Sequence, residues 1–131
     1  MIFADTSGFY ALADMNDHNH ASAGSVMAAL TDDEIVTHSY VLSESVSLLH
    51  ARFGRDAVKG FRENVLPRVD RVVWIGASIH DVALDALVGS TSKRGPSFVD
   101  LVSFEVMRRE GIRRAFAFDR DFVRAGFELV R

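Results

Sequence analysis

The chain contains no cysteine among its 131 residues. Disulfide bonds, catalytic thiols and thiolate zinc sites are therefore excluded. It also lacks the Walker phosphate-binding loop and the Gly-x-Gly-x-x-Gly fingerprint of dinucleotide-binding proteins. No apolar run reaches the roughly 18 residues that a membrane-spanning helix needs. These absences indicate a protein that folds around an apolar core and uses oxygen and nitrogen groups for its chemistry.

No secretory signal is expected, because no basic segment is followed by an apolar stretch and a small-residue cleavage site. We therefore expect a cytoplasmic protein without membrane association, and the lack of cysteine agrees with a reducing compartment. The chain is 48% hydrophobic, and its 131 residues suffice for one domain with its own core. We expect that single domain to span residues 1–131.

Lysine and arginine are missing from residues 1–51, which contain seven acidic residues. Residues 52–131 contain all 15 basic residues and the other 11 acidic ones, so the two parts have net charges of −7 and +4. This asymmetry favours a basic surface beside an acidic centre, as a metal-dependent enzyme acting on a polyanion requires. For any single arginine, an ordinary solvated helix face is the alternative.

Short apolar runs alternate with longer segments of helical periodicity. The runs predict strands near residues 2–4, 35–37, 72–75, 115–118 and 127–130. Helices are predicted over residues 7–13, 20–31, 40–53, 55–66, 79–90 and 97–110, with a short one after Asp121. The alternation predicts an α/β fold whose mostly parallel central sheet is covered by helices on both faces.

Two of the predicted strands stop at an acidic residue: residues 2–4 end at Asp5, and residues 115–118 end at Asp119. Ligands of open α/β sheets bind outside the carboxyl ends of strands, where the strand order reverses. Asp5 and Asp119 are therefore candidates for chemistry. Asp121, two residues further on, is predicted to cap the last short helix.

A third acid, Glu44, lies within the helix predicted over residues 40–53. Val41 and Leu48 are three residues before it and four after it, so they share its helical face. Glu44 is thus placed on or beside the apolar stripe. A salt bridge to another element and a ligand role are both open for it.

The fourth acid, Asp100, follows Ser97 by three residues, which is an acidic variant of the capping box. The helix that follows is apolar around most of its circumference, so we expect it to be buried against the sheet. An acid near its start would then face a cleft at the sheet edge. Capping alone and a functional role are both compatible with this position.

Four carboxylates in apolar surroundings are typical of a site for Mg²⁺ or Mn²⁺, which prefer oxygen ligands. They are suited to one ion, or to two ions that activate water and stabilise the leaving oxygen in phosphodiester hydrolysis. Without a cation they repel each other, and at least one pKa should rise. The histidines His38, His50 and His80 are interpreted as residues of the core edge or the surface.

Four segments carry a resemblance to a known family, the PIN domain, and more narrowly to the VapC-type toxin ribonucleases of toxin–antitoxin pairs. They are the start Ile2-Phe3-Ala4-Asp5-Thr6-Ser7, the Glu44 helix, Ser97-Phe98-Val99-Asp100 with Ser103-Phe104, and Ala117-Phe118-Asp119-Arg120-Asp121-Phe122. The resemblance implies a three-layer α/β/α fold and Mg²⁺- or Mn²⁺-dependent endonuclease activity on RNA. It also implies frequent homodimers and inhibition by a cognate antitoxin.

The resemblance assigns the metal and the catalysis to Asp5, Glu44, Asp100 and Asp119. The family often has a hydroxyl residue at the position of Ala117, and here Thr6 and Ser7 are the nearby hydroxyls, although a turn-capping role is equally natural for them.

RNA contact is assigned to a basic loop and two hydroxyls. Lys93 and Arg94 lead directly to the Asp100 helix and are expected at the rim of the cleft, with Thr6 and Ser97 beside them; an ordinary solvated turn is the alternative for the loop.

We thus expect a metal-dependent endoribonuclease that hydrolyses phosphodiester bonds in structured RNA as the toxin of a type II toxin–antitoxin pair. A PIN-like module that binds RNA or protein without turnover is the alternative. A receiver-like domain with Asp5 as phosphate acceptor is less favoured, because the Asp-x-Asp start of aspartate phosphatases is absent: position 7 is Ser7.

Overall fold

A computed structural model describes residues 1–130 of the chain. Its five strands form one sheet in the order β3-β2-β1-β4-β5, and every neighbouring pair is parallel. The strands are β1 Ile2–Ala4, β2 Ile35–His38, β3 Arg71–Val73, β4 Arg114–Phe116 and β5 Glu128–Leu129. The α/β fold with a parallel central sheet is confirmed, and the five predicted strands are found within a few residues of their expected positions.

Seven α-helices connect the strands of residues 1–130. They are α1 Thr6–Ala13, α2 His20–Ala29, α3 Ser39–Phe53, α4 Arg55–Gly60, α5 Ala77–Gly89, α6 Phe98–Glu110 and α7 Asp121–Arg124. The single helix predicted over residues 55–66 is wrong at its end, because α4 passes into a π-helical turn, Phe61–Val65, and a 3₁₀ turn, Leu66–Arg68. Pro67 has no N–H to donate, which disfavours a continuing α-helix there.

The helices divide into two layers, in agreement with the expected α/β/α arrangement. Helices α1 to α4 contact one another, and α5 to α7 form a second set of contacts. Helices α3 and α6, one from each layer, also touch. None of the helices described over residues 1–130 has the length and apolar character to cross a membrane.

The central strand β1 is completely buried: Ile2, Phe3 and Ala4 have no exposed surface. A strand covered on both faces needs apolar residues at every position rather than at alternate ones, which explains the unbroken apolar run at the start of the sequence. On one face, the rings of Phe3 and Phe104 both pack against Phe122 of α7. The residue that follows β1 therefore emerges from the centre of the molecule.

The strand order reverses beside β1. From β1 the chain proceeds outward to β2 and β3, and it then returns to place β4 on the other side of β1. The carboxyl ends of β1 and β4 consequently border the crevice where open α/β sheets bind ligands. Asp5 and the segment of residues 117–121 lie at this crevice.

Candidate metal centre

Asp5 directly follows β1 and is only 4% exposed. Its Oδ2 accepts hydrogen bonds from the backbone N–H of Ser7, at 3.1 Å, and from the Ser7 hydroxyl, at 2.7 Å, so Asp5 is also the N-cap of α1. Burial raises the pKa of Asp5; hydrogen bonds from Ser7 and Thr6 oppose this rise, and the nearby charge of Glu44 adds to it. The Asp5 carboxylate is therefore held in place by hydrogen bonds, while its burial makes the charged form poorly solvated.

Ser7 connects the two strand-end segments. Its Oγ accepts a hydrogen bond of 3.0 Å from the backbone N–H of Phe118, one residue before Asp119, while its hydroxyl proton is donated to Asp5. The contact requires α1 to lie very close to β4. A Cβ atom at Gly8 would be 2.6 Å from the carbonyl oxygen of Phe116 and 2.8 Å from its ring, so only glycine fits there.

Asp100 is both a capping residue and a member of the site. Its backbone N–H donates to the Ser97 hydroxyl at 3.1 Å, and its Oδ2 accepts from the Ser97 N–H at 3.0 Å, which confirms the capping box. Burial raises the pKa of Asp100 to about 6, the charges of Asp5 and Asp119 add to the rise, and the hydrogen bonds from Ser97 oppose it. Asp100 can therefore take part in the capping box and in the site at the same time.

Three carboxylates meet at the edge of the sheet. Asp100, Asp119 and Asp121 each offer an oxygen, and these oxygens lie within 4.8 Å of one another. Oδ1 of Asp119 accepts from the backbone N–H of Asp121 at 2.9 Å, and Oδ1 of Asp121 accepts from Nη1 of Arg124 at 2.7 Å. Because a carboxylate has two oxygens, such local bonds leave a second one for a ligand.

The prediction that Asp121 caps the last helix is wrong. Helix α7 begins at Asp121 itself, after Arg120, and the carboxylate that accepts an N–H at this turn belongs to Asp119. The Asp121 side chain is thereby free to join the acidic cluster. The spacing of two acids with one residue between them, directly after a strand, was the signal in the sequence for this arrangement.

Glu44 lies beside the apolar stripe of α3 and is exposed. The buried residues of that helix are Val41, Ser45 and Leu49, whereas Leu48 is 36% exposed, so the expectation that Leu48 marks the apolar face is wrong. No salt bridge to Glu44 occurs in the described residues 1–130. Neither Glu44 nor Asp5 is part of the 4.8 Å cluster. The charge of Glu44 nevertheless contributes to the raised pKa of Asp5.

His38 was expected at the core edge or the surface, and the structure instead buries it completely. Its Nδ1 accepts from the backbone N–H groups of Tyr40 and Val41 and caps α3. Its Nε2 lies 2.8 Å from Oγ of Ser103, which donates to the carbonyl of Val99. Burial lowers the pKa of His38 to about 3, so the ring is neutral and its Nε2–H donates to Ser103. The Glu44 helix and the Asp100 helix are joined by this bridge.

The residues predicted to contact RNA occupy different environments. Thr6 is 7% exposed, and its hydroxyl has no hydrogen-bond partner within residues 1–130. The Ser97 hydroxyl accepts a hydrogen bond from the backbone N–H of Asp100 and so caps α6. Lys93 and Arg94 are exposed on the loop between α5 and α6, but they line different cavities, of about 230 Å³ and about 660 Å³ respectively.

The donor set fits a hard divalent cation. Asp100, Asp119 and Asp121 form a close group of carboxylates, and the buried carboxylate of Asp5 lies near enough to Asp100 to raise its pKa. Mg²⁺ and Mn²⁺ take oxygen ligands of this kind, and a cation relieves the mutual repulsion that raises the pKa of Asp100.

Comparison with known proteins gives the same relationship by sequence and by structure. Residues 2–128 match the PIN domain. The chain is 40% identical over 131 residues, all of its length and 98% of the relative's, to the protein named 23S rRNA-specific endonuclease VapC20 in two strains of Mycobacterium tuberculosis. The crystal structure of Mycobacterium tuberculosis VapC20, described as a sarcin–ricin loop cleaving toxin, superimposes with a TM-score of 0.86 at 38% identity and covers 97% of this chain and 96% of that one. The chain therefore belongs to the PIN-domain family, as a member of the VapC type, and the resemblance read from its acidic motifs is confirmed.

Proposed function

We propose that the protein is a metal-dependent endoribonuclease and the toxin component of a type II toxin–antitoxin pair. The observation that carries this proposal is the group of carboxylate oxygens of Asp100, Asp119 and Asp121 within 4.8 Å at the carboxyl edge of the sheet. A relative at 40% identity over the whole chain is named as an RNA endonuclease, which supports the same activity here.

Asp5, Glu44, Asp100 and Asp119 are proposed to hold the ion, with Asp121 as a further ligand. When bound, Mg²⁺ or Mn²⁺ would supply positive charge that activates water and stabilises the leaving oxygen of a phosphodiester. Asp5 and Asp100 contribute fixed, poorly solvated carboxylates at the base of the site. Their interactions with charge are strengthened because water is largely excluded around them.

Ser7 and Ser97 are proposed to act as positioning residues. Each donates to the carboxylate of an acid and thereby fixes the direction in which that carboxylate points. A fixed geometry matters because misplacement of a reacting group by about 1 Å can reduce a rate about a hundredfold.

For the substrate, we propose a structured ribosomal RNA hairpin. The relatives are named for 23S rRNA and for cleavage of the sarcin–ricin loop, and the chain covers almost their full length. The proposed partners are this RNA and a cognate antitoxin protein, and the proposed compartment is the cytoplasm, where both are found.

A homodimer is proposed as the assembly. Trp74, which is 75% exposed, and Val88, which is 78% exposed, are large apolar side chains suited to an interface. Light scattering should give the mass of two chains for the wild type and a smaller mass for Trp74→Gln. A single-chain mass for the wild type would contradict the dimer.

The proposed activity is tested by cleavage of a synthetic hairpin with the sarcin–ricin sequence, in Mn²⁺ or in EDTA. Wild-type protein, free of antitoxin, should cut at a discrete position only with the metal, and Asp100→Asn should be inactive. The control is Asp85→Asn, which removes the same charge from an exposed position of α5. Thermal unfolding with added Mn²⁺ provides a second readout, since a ligand that binds the folded state raises Tm in the wild type and the control.

Cleavage that persists in EDTA or in Asp100→Asn would refute the metal-dependent nuclease. RNA binding without any cleavage, and without a Mn²⁺-dependent rise in Tm, would favour the non-catalytic binding module.

A further inference from the structure

A cleft of about 660 Å³ opens beside the acidic cluster, between the loop that precedes α6 and the helices α6 and α7. Arg94, Arg108 and Arg124 contribute to its walls, and the half-buried Leu101 adds apolar surface. Asp121 lines the cleft and also belongs to the cluster of three carboxylates. The cleft and the candidate metal centre are therefore contiguous.

Two arginines of this cleft, Arg94 and Arg108, differ from the neighbouring Arg109, which makes contacts within the fold. Arg109 pairs with Glu105 and donates to the hydroxyl of Ser78 on α5. Arg108, the preceding residue of α6, and Arg94 make no salt bridge within residues 1–130. Their positive charges thus remain available to a ligand.

Arg124 occupies the boundary between the cleft and the carboxylates. Its Nη1 donates to Oδ1 of Asp121 at 2.7 Å, and its side chain is 74% exposed. A guanidinium group has five N–H donors, so one bond to Asp121 leaves donors for a second anion. An anion bound here would lie directly beside the acidic cluster.

We propose that this cleft, defined by Arg94, Arg108 and Arg124, binds the sugar–phosphate backbone of the RNA on the Asp121 side of the cut. The inference rests on the proposed nuclease function and adds the path of the substrate to it. Guanidinium groups form paired hydrogen bonds with phosphate oxygens, and the hydroxyls of Ser90 and Ser92 on the same wall are further donors. The apolar surface is suited to a ribose or a base.

The two members of the basic loop line adjoining cavities. Arg94 lines the cleft, whereas Lys93 lines a smaller cavity that shares Ser90, Ser92 and Leu101 with it. Within the cleft itself, RNA contact is therefore proposed for Arg94.

The test measures binding in an Asp100→Asn background, where the RNA is not cut. Fluorescence anisotropy of a labelled sarcin–ricin hairpin is followed over a range of KCl concentrations. The variant is Arg94→Gln/Arg108→Gln; Arg124 is left intact because it contacts an acid of the site. The matched control is Arg113→Gln/Arg114→Gln, which removes two exposed charges at the amino end of β4, the sheet edge opposite to the acids.

The cleft variant should bind the hairpin about a hundredfold more weakly, or about tenfold for each charge-assisted contact that is lost. The slope of log Kd against log[KCl] should fall by about one for each arginine. The control should bind within about threefold of its parent, because neither arginine lines the cleft. In the cleaving background, the same cleft variant should raise KM far more than it lowers kcat.

Equal hairpin binding by the cleft variant and the control would overturn the proposal. Loss of affinity for poly-glutamate, with RNA affinity unchanged, would do the same and would make the cleft a binding site for an acidic protein segment. These binding results are independent of turnover. A wild-type protein that binds through the cleft without cutting refutes the nuclease, whereas one that cuts without using the cleft refutes only this inference.

Discussion

The candidate site has a buried floor and an open rim that differ in how the fold holds them. The floor consists of Asp5 and Asp100, which are 4% and 9% exposed. The rim consists of Glu44, Asp119 and Asp121, which are exposed or half-buried. Asp5 caps α1, Asp100 belongs to the capping box of α6, and each is held by a neighbouring serine. The rim acids, in contrast, lie on a helix surface and a short turn.

The difference shows how a fold can prepare a cation site. The charged forms of both floor acids are poorly solvated because the side chains are buried, and this raises the pKa of each. A bound cation would recover part of that cost in solvation, and we expect the fixed floor to define its position. The rim, in contrast, is exposed or half-buried, and we expect it to adjust to the ion and to the substrate.

The largest expected effect separates the floor from the rim in catalysis. Asp5→Asn should lower kcat/KM for hairpin cleavage about a thousandfold, since several kcal/mol of transition-state stabilisation depend on the correctly held ion. Asp121→Asn should lose about tenfold to a hundredfold, because a half-buried carboxylate that water can reach is more easily replaced by water. Single-turnover cleavage at saturating Mn²⁺ measures both. An equal loss in the two variants would remove the distinction between floor and rim.

The close contact between α1 and β4, which positions Asp5, is tested by Gly8→Ala. The added methyl would lie 2.6 Å from the carbonyl oxygen of Phe116, so α1 must move away from β4. We expect the free energy of unfolding to fall by about 3 kcal/mol, the upper part of the range for overpacked positions. Urea denaturation gives this value. Gly24→Ala, at an open position of α2, is the control and should not destabilise the protein.

The hydrogen bond from His38 to Ser103, which joins α3 to α6, is tested by His38→Asn. Asparagine retains an acceptor for the α3 cap but is too short to reach Ser103, and it leaves a cavity beside Phe3. At about pH 7 the variant should be less stable than the wild type by about 2 kcal/mol.

Lowering the pH should reduce this difference in stability between the wild type and His38→Asn. The pKa of His38 is lowered in the folded state to about 3. Its contribution is thus complete above the unfolded pKa of about 6.5 and is lost at roughly 1.4 kcal/mol per pH unit below it, because the unfolded chain binds the proton first. Urea denaturation at about pH 7 and about pH 5 should therefore show the gap nearly closing. His50→Asn, at an exposed position of the same helix, is the control. A gap that stays constant with pH would mean that His38 is not held neutral.

The smallest effect is expected at the rim. Arg124→Gln breaks the bond to Asp121, but the arginine side chain is 74% exposed, so the free energy of unfolding should change by less than about 0.5 kcal/mol. Thermal unfolding measures the change. A loss of several kcal/mol would show that this turn belongs structurally to the floor.

Much of the fold could be predicted because its signals are local. The apolar run before Asp5 indicates a strand buried on both faces, and the spacing from Ser97 to Asp100 specifies the capping box that the structure contains. The end of α4 was less predictable, since the change to a π-helical turn at Phe61 depends on packing as well as on Pro67. Leu48 was misassigned because helical periodicity defines a face only to within a residue or so.

Within the site, local signals found the acids but not their relationships. Asp121 was assigned to the helix cap, since its place beside Asp100 depends on how α6 and α7 pack. The burial of His38 and its bond to Ser103 join residues 65 positions apart, a separation over which no periodicity extends.

By itself, the sequence determined the parallel α/β fold, the chain positions of the acids and the family to which they belong. Each of these depends on residue type and on short-range spacing along the chain. Only the tertiary structure decided which carboxylates meet, which of them lose water, and which nearby arginines make no salt bridge within residues 1–130. These properties depend on distances between elements that are remote in sequence, because desolvation and Coulomb interactions act through space rather than along the chain.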